Sequence, residues 1–167
     1  KIGNTYLAIK ICTAFTEFAA RYIYSEHEAL NLLNGIFCPK IYWYGFLPTV
    51  KEENNYSYAI IMEYVYGTNL QNLLENKVKT NNVKITKSEC EILKNKLSYA
   101  IKTINDSGVK HQDLRPDNII IDNKMNVKII DFGLSRTSNS YYDNEIPSKL
   151  IDDINENKIN IKNDLEA

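Results

Sequence analysis

Long apolar runs are missing from this chain. No stretch reaches the roughly 18 residues that a membrane-spanning helix requires, and no basic segment leading into an apolar core opens it as a secretory signal would. The first residue is Lys1 rather than Met, so the natural start is expected upstream. Cysteine is scarce: Cys12, Cys38 and Cys90 are odd in number and lack C-x-x-C spacing. That argues against a disulfide framework and a zinc site, and predicts free thiols in a reducing, intracellular and cytoplasmic setting. Histidine is scarcer, with only His27 and His111. An excess of either charge is lacking too. Formal net charge is -1, which gives no footprint for nucleic acid or another polyanion. The lysines of 76–84 are interspersed with asparagines and read as solvated loop. No internal repeat occurs.

What is present suffices for a domain with a real core: 167 residues, 44% of them hydrophobic. Tyr6–Cys12 alternates, with Tyr6, Ala8 and Lys10 on one face and Leu7, Ile9 and Ile11 on the other, and predicts a strand. A helix is expected from Phe15 to about Asn34, closed by Asn34-Gly35. Its apolar stripe runs Phe15, Phe18/Ala19, Tyr22/Ile23, Ala29/Leu30, Leu33. Strands are expected at Lys40–Phe46 and Ser57–Tyr64 around a polar turn at 51–55. Gly67-Thr68-Asn69 then opens a short helix, Leu70–Asn76. Ser88–Asn105 is the clearest helix, with Leu93, Leu97, Ala100, Ile101 and Ile104 at helical spacing. A hairpin follows, pairing Ile119–Asp122 with Val127–Ile130. From Ser138 the chain is polar and asparagine-rich. This order predicts an α+β fold in two lobes, 1–65 and 66–167.

The chemistry concentrates in His111-Gln112-Asp113-Leu114-Arg115-Pro116-Asp117-Asn118, the hairpin, and Asp131-Phe132-Gly133. In an antiparallel hairpin the residue before the first strand lies beside the residue after the second. Asn118 is therefore expected next to Asp131, and two hard oxygen donors there suit Mg²⁺ shared with phosphates. Asp113 lies just upstream as a carboxylate base, and Arg115 adds a fixed positive charge. Each residue alone is an ordinary loop former; together they form what phosphoryl transfer requires. Glu26 lies on the apolar stripe, where a carboxylate is costly unless paired. Lys10 is its expected partner, while Glu28 falls on the solvated side.

These motifs resemble the catalytic and metal-binding loops of the protein kinase-like superfamily. The resemblance implies that Asp113 is the catalytic base and that Asn118 and Asp131 hold the metal. Arg115 then stands where the catalytic-loop lysine is usual, as a planar fork instead of a point charge. Ala8-Ile9-Lys10 resembles the end of the Val-Ala-Ile-Lys strand, which implies that Lys10, fixed by Glu26, holds the ATP phosphates and that Ala8 lines the adenine site. By the same resemblance Met62 is the gatekeeper, the backbones of Glu63 and Val65 face the adenine edge, and Ile120 closes the site from below. Leu30, Ile41, His111 and Phe132 match the stacked regulatory spine, so His111 is expected to be structural.

The match runs from about Tyr6 to Arg136. Gly3 alone cannot form the glycine-rich loop, no A-P-E follows Gly133, and 161–167 resembles the opening of the buried central helix. A partial kinase-like fold is therefore expected, lacking the glycine-loop hairpin and most of the helical C-lobe, and slow by itself at ATP turnover. Gln112 replaces the arginine that many kinases place before the catalytic aspartate. The segment carrying Ser138, Ser140, Tyr141 and Tyr142 is thus expected to need no phosphate. The implied function is ATP- and Mg²⁺-dependent transfer of a phosphoryl group to Ser or Thr of a protein. A small-molecule kinase and a non-catalytic scaffold are the alternatives. Phe132-Gly133 speaks against the first, and retention of Lys10, Asp113, Asn118 and Asp131 against the second.

Overall fold

Alternation along Leu7–Cys12 sends Ala8 and Lys10 inward and leaves Ile9 and Ile11 more than half exposed. This strand, β1, pairs antiparallel with β3 (Ser57–Glu63), which also pairs with β2 (Ile41–Leu47), giving the sheet order β1-β3-β2. The computed structural model describes residues 6–12, 17–47, 57–75 and 86–137. The expectations made for Gly3, Phe15, the 51–55 turn, the 76–84 loop, the acceptors at 138–142 and the 161–167 helix lie outside these residues.

Helix α1 (Glu17–Leu33) follows β1 and buries Ile23, Glu26, Ala29, Leu30 and Leu33, one stripe of a 3.6-residue period. It ends as the Asn34-Gly35 signal predicts. Both residues are left-handed (φ 45 and 85), and the Asn34 N–H donates to the Leu30 carbonyl at 2.9 Å. The second major helix, here α3 (Lys87–Asp106), buries Leu93, Leu97, Ala100 and Ile104. Its start is fixed by a reciprocal cap. The Thr86 hydroxyl accepts from the Glu89 N–H at 3.2 Å, and the Glu89 carboxylate accepts from the Thr86 N–H at 2.8 Å.

Beside the expected hairpin and short helix, the structure adds two short pairings that the pattern did not show, β4 (Thr68–Asn69) with β6 (Ile119–Ile121) and β5 (Val109–Lys110) with β8 (Arg136–Thr137). β6 also pairs with β7 (Val127–Ile129), and helix α2 (Leu70–Leu74) starts from an Asn69 cap. Two-residue strands carry no periodicity, so only tertiary contact can create them. The mixed helix and strand content makes this an α+β fold, as expected.

One apolar cluster joins the helices to both three-stranded sheets, from Leu30, Ile60 and Met62 to Leu97, Ile119 and Phe132. Two further ties hold the hairpin, one to the connection between α1 and β2 and one to β3: the Ile129 N–H donates to the Phe37 carbonyl at 2.7 Å, and Lys128 Nζ meets Glu63 Oε2 at 2.5 Å. Gly67, at φ +150, makes the closest backbone approach, since a Cβ there would lie 2.4 Å from the Ile121 carbonyl oxygen. Gly67→Ala should therefore destabilise the fold by about 1–3 kcal/mol from backbone strain alone. Urea denaturation of the natural full-length protein checks this; an unchanged midpoint would mean the segment moves aside freely.

Candidate active site

The loop after β5 is anchored from inside. His111 is buried, its Nε2–H donates to the Ile130 carbonyl at 2.9 Å, and Nδ1 accepts the Asp113 N–H at 3.3 Å. Those two bonds select one neutral tautomer, and burial pushes the imidazole pKa down. The ring meets Phe132 edge-on at 4.6 Å, which makes His111 a packing residue, in line with the sequence reading. Leu114 and Pro116 are buried below the loop. Asp113 and the exposed Arg115 are left at the surface between them, with Arg115 Nε 3.8 Å from Asp113 Oδ1. Asn118 Nδ2 donates to the Asp113 carbonyl at 2.9 Å and to its carboxylate at 3.3 Å. The amide oxygen of Asn118 is consequently the branch turned away from Asp113.

The hairpin register corrects one expectation. Ile119 faces Ile129, and the Ile130 N–H donates to the Asn118 carbonyl at 2.9 Å. Asn118 thus lies opposite Ile130, and Asp131 is one residue farther on, because the paired strands end sooner than the apolar run does. Asp131 adopts φ 63 and Gln112 φ 66, a left-handed conformation that costs most residues energy and that aspartate tolerates better. Two strained positions within one loop pair are what a preorganised site accumulates.

The predicted ion pair is present. Lys10 Nζ lies 2.5 Å from Glu26 Oε2 and 2.8 Å from Asp131 Oδ1. Glu26 is buried and Glu28 only partly so. Burial works against the Lys10 charge, but the Glu26 carboxylate and the hydrogen bonds to Asp131 and Glu26 outweigh it and raise the pKa. Burial pushes the Glu26 carboxyl up; Lys10 and the Phe132 N–H offset part of that. Asp131 is half-buried, which would raise it, yet the bonds from Lys10 and Tyr22 hold it below the usual carboxylate range.

Tyr22 is the member of this cluster that the sequence reading assigned to the core. Its hydroxyl donates to Asp131 Oδ1 at 2.7 Å, and burial followed by that bond pushes its pKa up to about 12. The signal was available: Tyr22 lies one turn before Glu26 on the same stripe. Lys128 was missed as well. It binds the Glu63 carboxylate, which also accepts the Lys40 N–H at 3.1 Å.

Asn118 and Asp131 fit a hard cation in donor type. One offers an amide oxygen whose nitrogen is already anchored, the other a carboxylate kept ionised. Among the described residues no cluster of three or more His, Cys, Asp or Glu could hold a metal by itself. On the adenine side, Met62 is buried and pairs with Ala8 across β1 and β3. The Glu63 N–H donates to the Lys40 carbonyl at 2.8 Å, so that N–H is not available to a base. A cavity of about 790 Å³ takes in Glu63, Val65 and Ile120 with Phe37, Tyr99 and Lys128. Lys10, Asp113, Asn118 and Asp131 do not line it, and the ionic cluster is a separate feature.

A family model described as the protein kinase domain matches residues 3–149. A probable serine/threonine-protein kinase of Dictyostelium discoideum is 33% identical over 153 residues, covering 82% of this chain and 21% of its own length. The CTD kinase subunit alpha of Saccharomyces cerevisiae is 38% identical over 98 residues, 57% of this chain and 18% of that protein. The cAMP-dependent protein kinase catalytic subunit PRKX of Mus musculus is 27% identical over 139 residues, 81% of this chain and 36% of that one. The chain thus spans about a fifth of the length of the first two relatives.

Proposed function

Since the chain belongs to the protein kinase domain family, we propose that it carries the catalytic core of an ATP-dependent phosphotransferase acting on Ser or Thr hydroxyls of proteins. The observation that carries the reading is the Lys10–Glu26–Asp131 cluster, which ties the first strand, the first helix and the metal-binding loop into one site. The described residues before and after position 65 act as the two walls of a nucleotide cleft in this reading.

In this reading each residue takes one role. Lys10, held by Glu26, presents its ammonium to the nucleotide phosphates. Ala8, Met62, Val65 and Ile120 line the base, with the Glu63 carbonyl as its polar contact. Asp113 accepts the proton of the incoming hydroxyl, and Asn118 Nδ2 orients that carboxylate through its bond to Oδ2 while its bond to the Asp113 carbonyl steadies the loop. Arg115 supplies positive charge beside the transferring group. Asn118 and Asp131 would hold Mg²⁺, which when bound neutralises charge on the phosphate oxygens.

The names of the relatives favour protein substrates, as does Phe132-Gly133 after the metal aspartate. The test supplies the natural full-length protein with labelled ATP and Mg²⁺, together with mixed protein substrates or small alcohols and aminoglycosides. Phosphoserine and phosphothreonine are expected. Label on small molecules alone would replace this reading with the small-molecule kinase, and nucleotide binding without any transfer would replace it with the scaffold.

A further inference from the structure

The Tyr22 hydroxyl is the one polar group of the ionic cluster that the proposed reaction does not use. We propose that Tyr22 is a lock on the metal-binding carboxylate: in the nucleotide-free protein its hydroxyl, together with Lys10, holds Asp131 Oδ1, and a divalent cation must displace it to take that oxygen. The proposal rests on the reading of Asp131 as a metal ligand and adds a control on access to it.

Three contacts fix the tyrosine. Its hydroxyl lies 2.7 Å from Asp131 Oδ1, and the Lys10 ammonium sits 4.7 Å from its ring centroid. A Cβ on Gly133 would fall 2.0–2.5 Å from three atoms of its ring. The ring therefore fills space that only glycine leaves open, wedged between α1 and the metal-binding loop. Oδ1 also accepts Lys10 Nζ at 2.8 Å. A carboxylate oxygen has two lone pairs, so these two donors leave none on Oδ1 for a cation and confine it to the other carboxylate oxygen. Magnesium requires close oxygens in near-octahedral geometry, and a hydroxyl donor on the same atom competes with it directly.

The two donors differ in what releases them. Lys10 has nucleotide phosphate to move to. Tyr22 bonds the carboxylate oxygen itself, so a cation on that oxygen displaces it directly. Tyr22 and Glu26 lie one turn apart on α1, so one helix movement would withdraw both. The lock thereby links the position of α1 to metal loading. A tyrosine that merely filled the core would affect stability and leave metal affinity alone.

Manganese binding to the natural full-length protein with a non-hydrolysable ATP analogue present, followed by electron paramagnetic resonance and measured against the analogue alone, separates these cases. Tyr22→Phe keeps the ring and removes the hydroxyl. It should tighten Mn²⁺ binding about tenfold, the scale of one lost hydrogen bond to a charged group. Unchanged or weaker binding overturns the lock. Asp131→Asn should abolish binding in both backgrounds; if it does not, the metal reading falls and the lock with it. If Asp131→Asn does abolish binding while Tyr22→Phe changes nothing, the lock alone is wrong. A second readout needs no variant to fold. With tyrosine Cζ labelled, the Tyr22 resonance of the wild-type protein should move when Mg²⁺ and a non-hydrolysable ATP analogue are added. A resonance that stays in place overturns the proposal.

Discussion

Asp113→Asn should lower phosphoryl transfer by the natural full-length protein roughly 10²–10⁴-fold, the range for losing a positioned general base. The substitution is close to isosteric. The backbone carbonyl of Asp113 still accepts from Asn118 Nδ2 at 2.9 Å, and its N–H still donates to His111 Nδ1 at 3.3 Å. The loop should therefore keep its shape. What disappears is the negative oxygen that faces Arg115 and would take the proton of the incoming hydroxyl. Mn²⁺ and nucleotide affinity should hardly change, because Lys10, Asn118 and Asp131 are untouched. Initial-rate kinetics beside a nucleotide-binding titration check this. A variant keeping a tenth or more of the wild-type rate would take Asp113 out of the proposed role.

Lys10→Met is expected to damage both stability and activity, and the stability loss carries a pH signature. Glu26 is only 2% exposed, and without Lys10 its charge is buried with Asp131 as a second negative neighbour. Breaking a buried pair costs about 3–5 kcal/mol. The lower end applies here, because the Lys10 side chain is 34% exposed and solvent already weakens the pair. Burial raises the folded-state pKa of Glu26 above its ordinary 4.5, and loss of the lysine raises it further. The native variant then binds a proton more readily than its unfolded chain, so its stability falls as pH rises through the window above 4.5. The deficit relative to wild type should be small near about pH 5 and largest near about pH 8. Wild-type Lys10 behaves in the complementary way: its pKa is raised above 10.5, so its contribution is intact at both pH values. Urea melts of both proteins at the two pH values measure this. A deficit that does not change with pH would mean that Glu26 is solvated once Lys10 is gone. Phosphoryl transfer should fall with the same substitution, since the phosphates lose their cation.

Much of the fold was legible because long amphipathic elements advertise themselves. The stripe from Ile23 to Leu33 and that from Leu93 to Ile104 repeat over several turns, and the register of each is set by what must be buried. Glu26 stood out for the same reason, as a carboxylate on an apolar face. The pairings β4–β6 and β5–β8 did not stand out. A strand of two residues has no period, and its partner lies far away in the chain. The Thr86–Glu89 cap was readable in principle, since Thr-x-x-Glu before an apolar run is a helix-start signal.

The candidate site divides along the same line. The spacing from His111 to Asn118 and from Asn118 to Asp131 is local, and hairpin geometry brings those residues close whatever else the chain does. The sequence alone therefore determined which side chains could carry the chemistry, and that Lys10 had to answer the charge of Glu26. Tertiary packing decided that Asp131 sits one residue past the position opposite Asn118, and that the Glu63 carboxylate reaches Lys128. It also decided that the Tyr22 hydroxyl lands on Asp131 Oδ1 across 109 residues of chain. Periodicity shows which face of an element is buried. Which atom on that face meets which across the core depends on how helix and hairpin dock, and docking is settled by the shapes of all the side chains together.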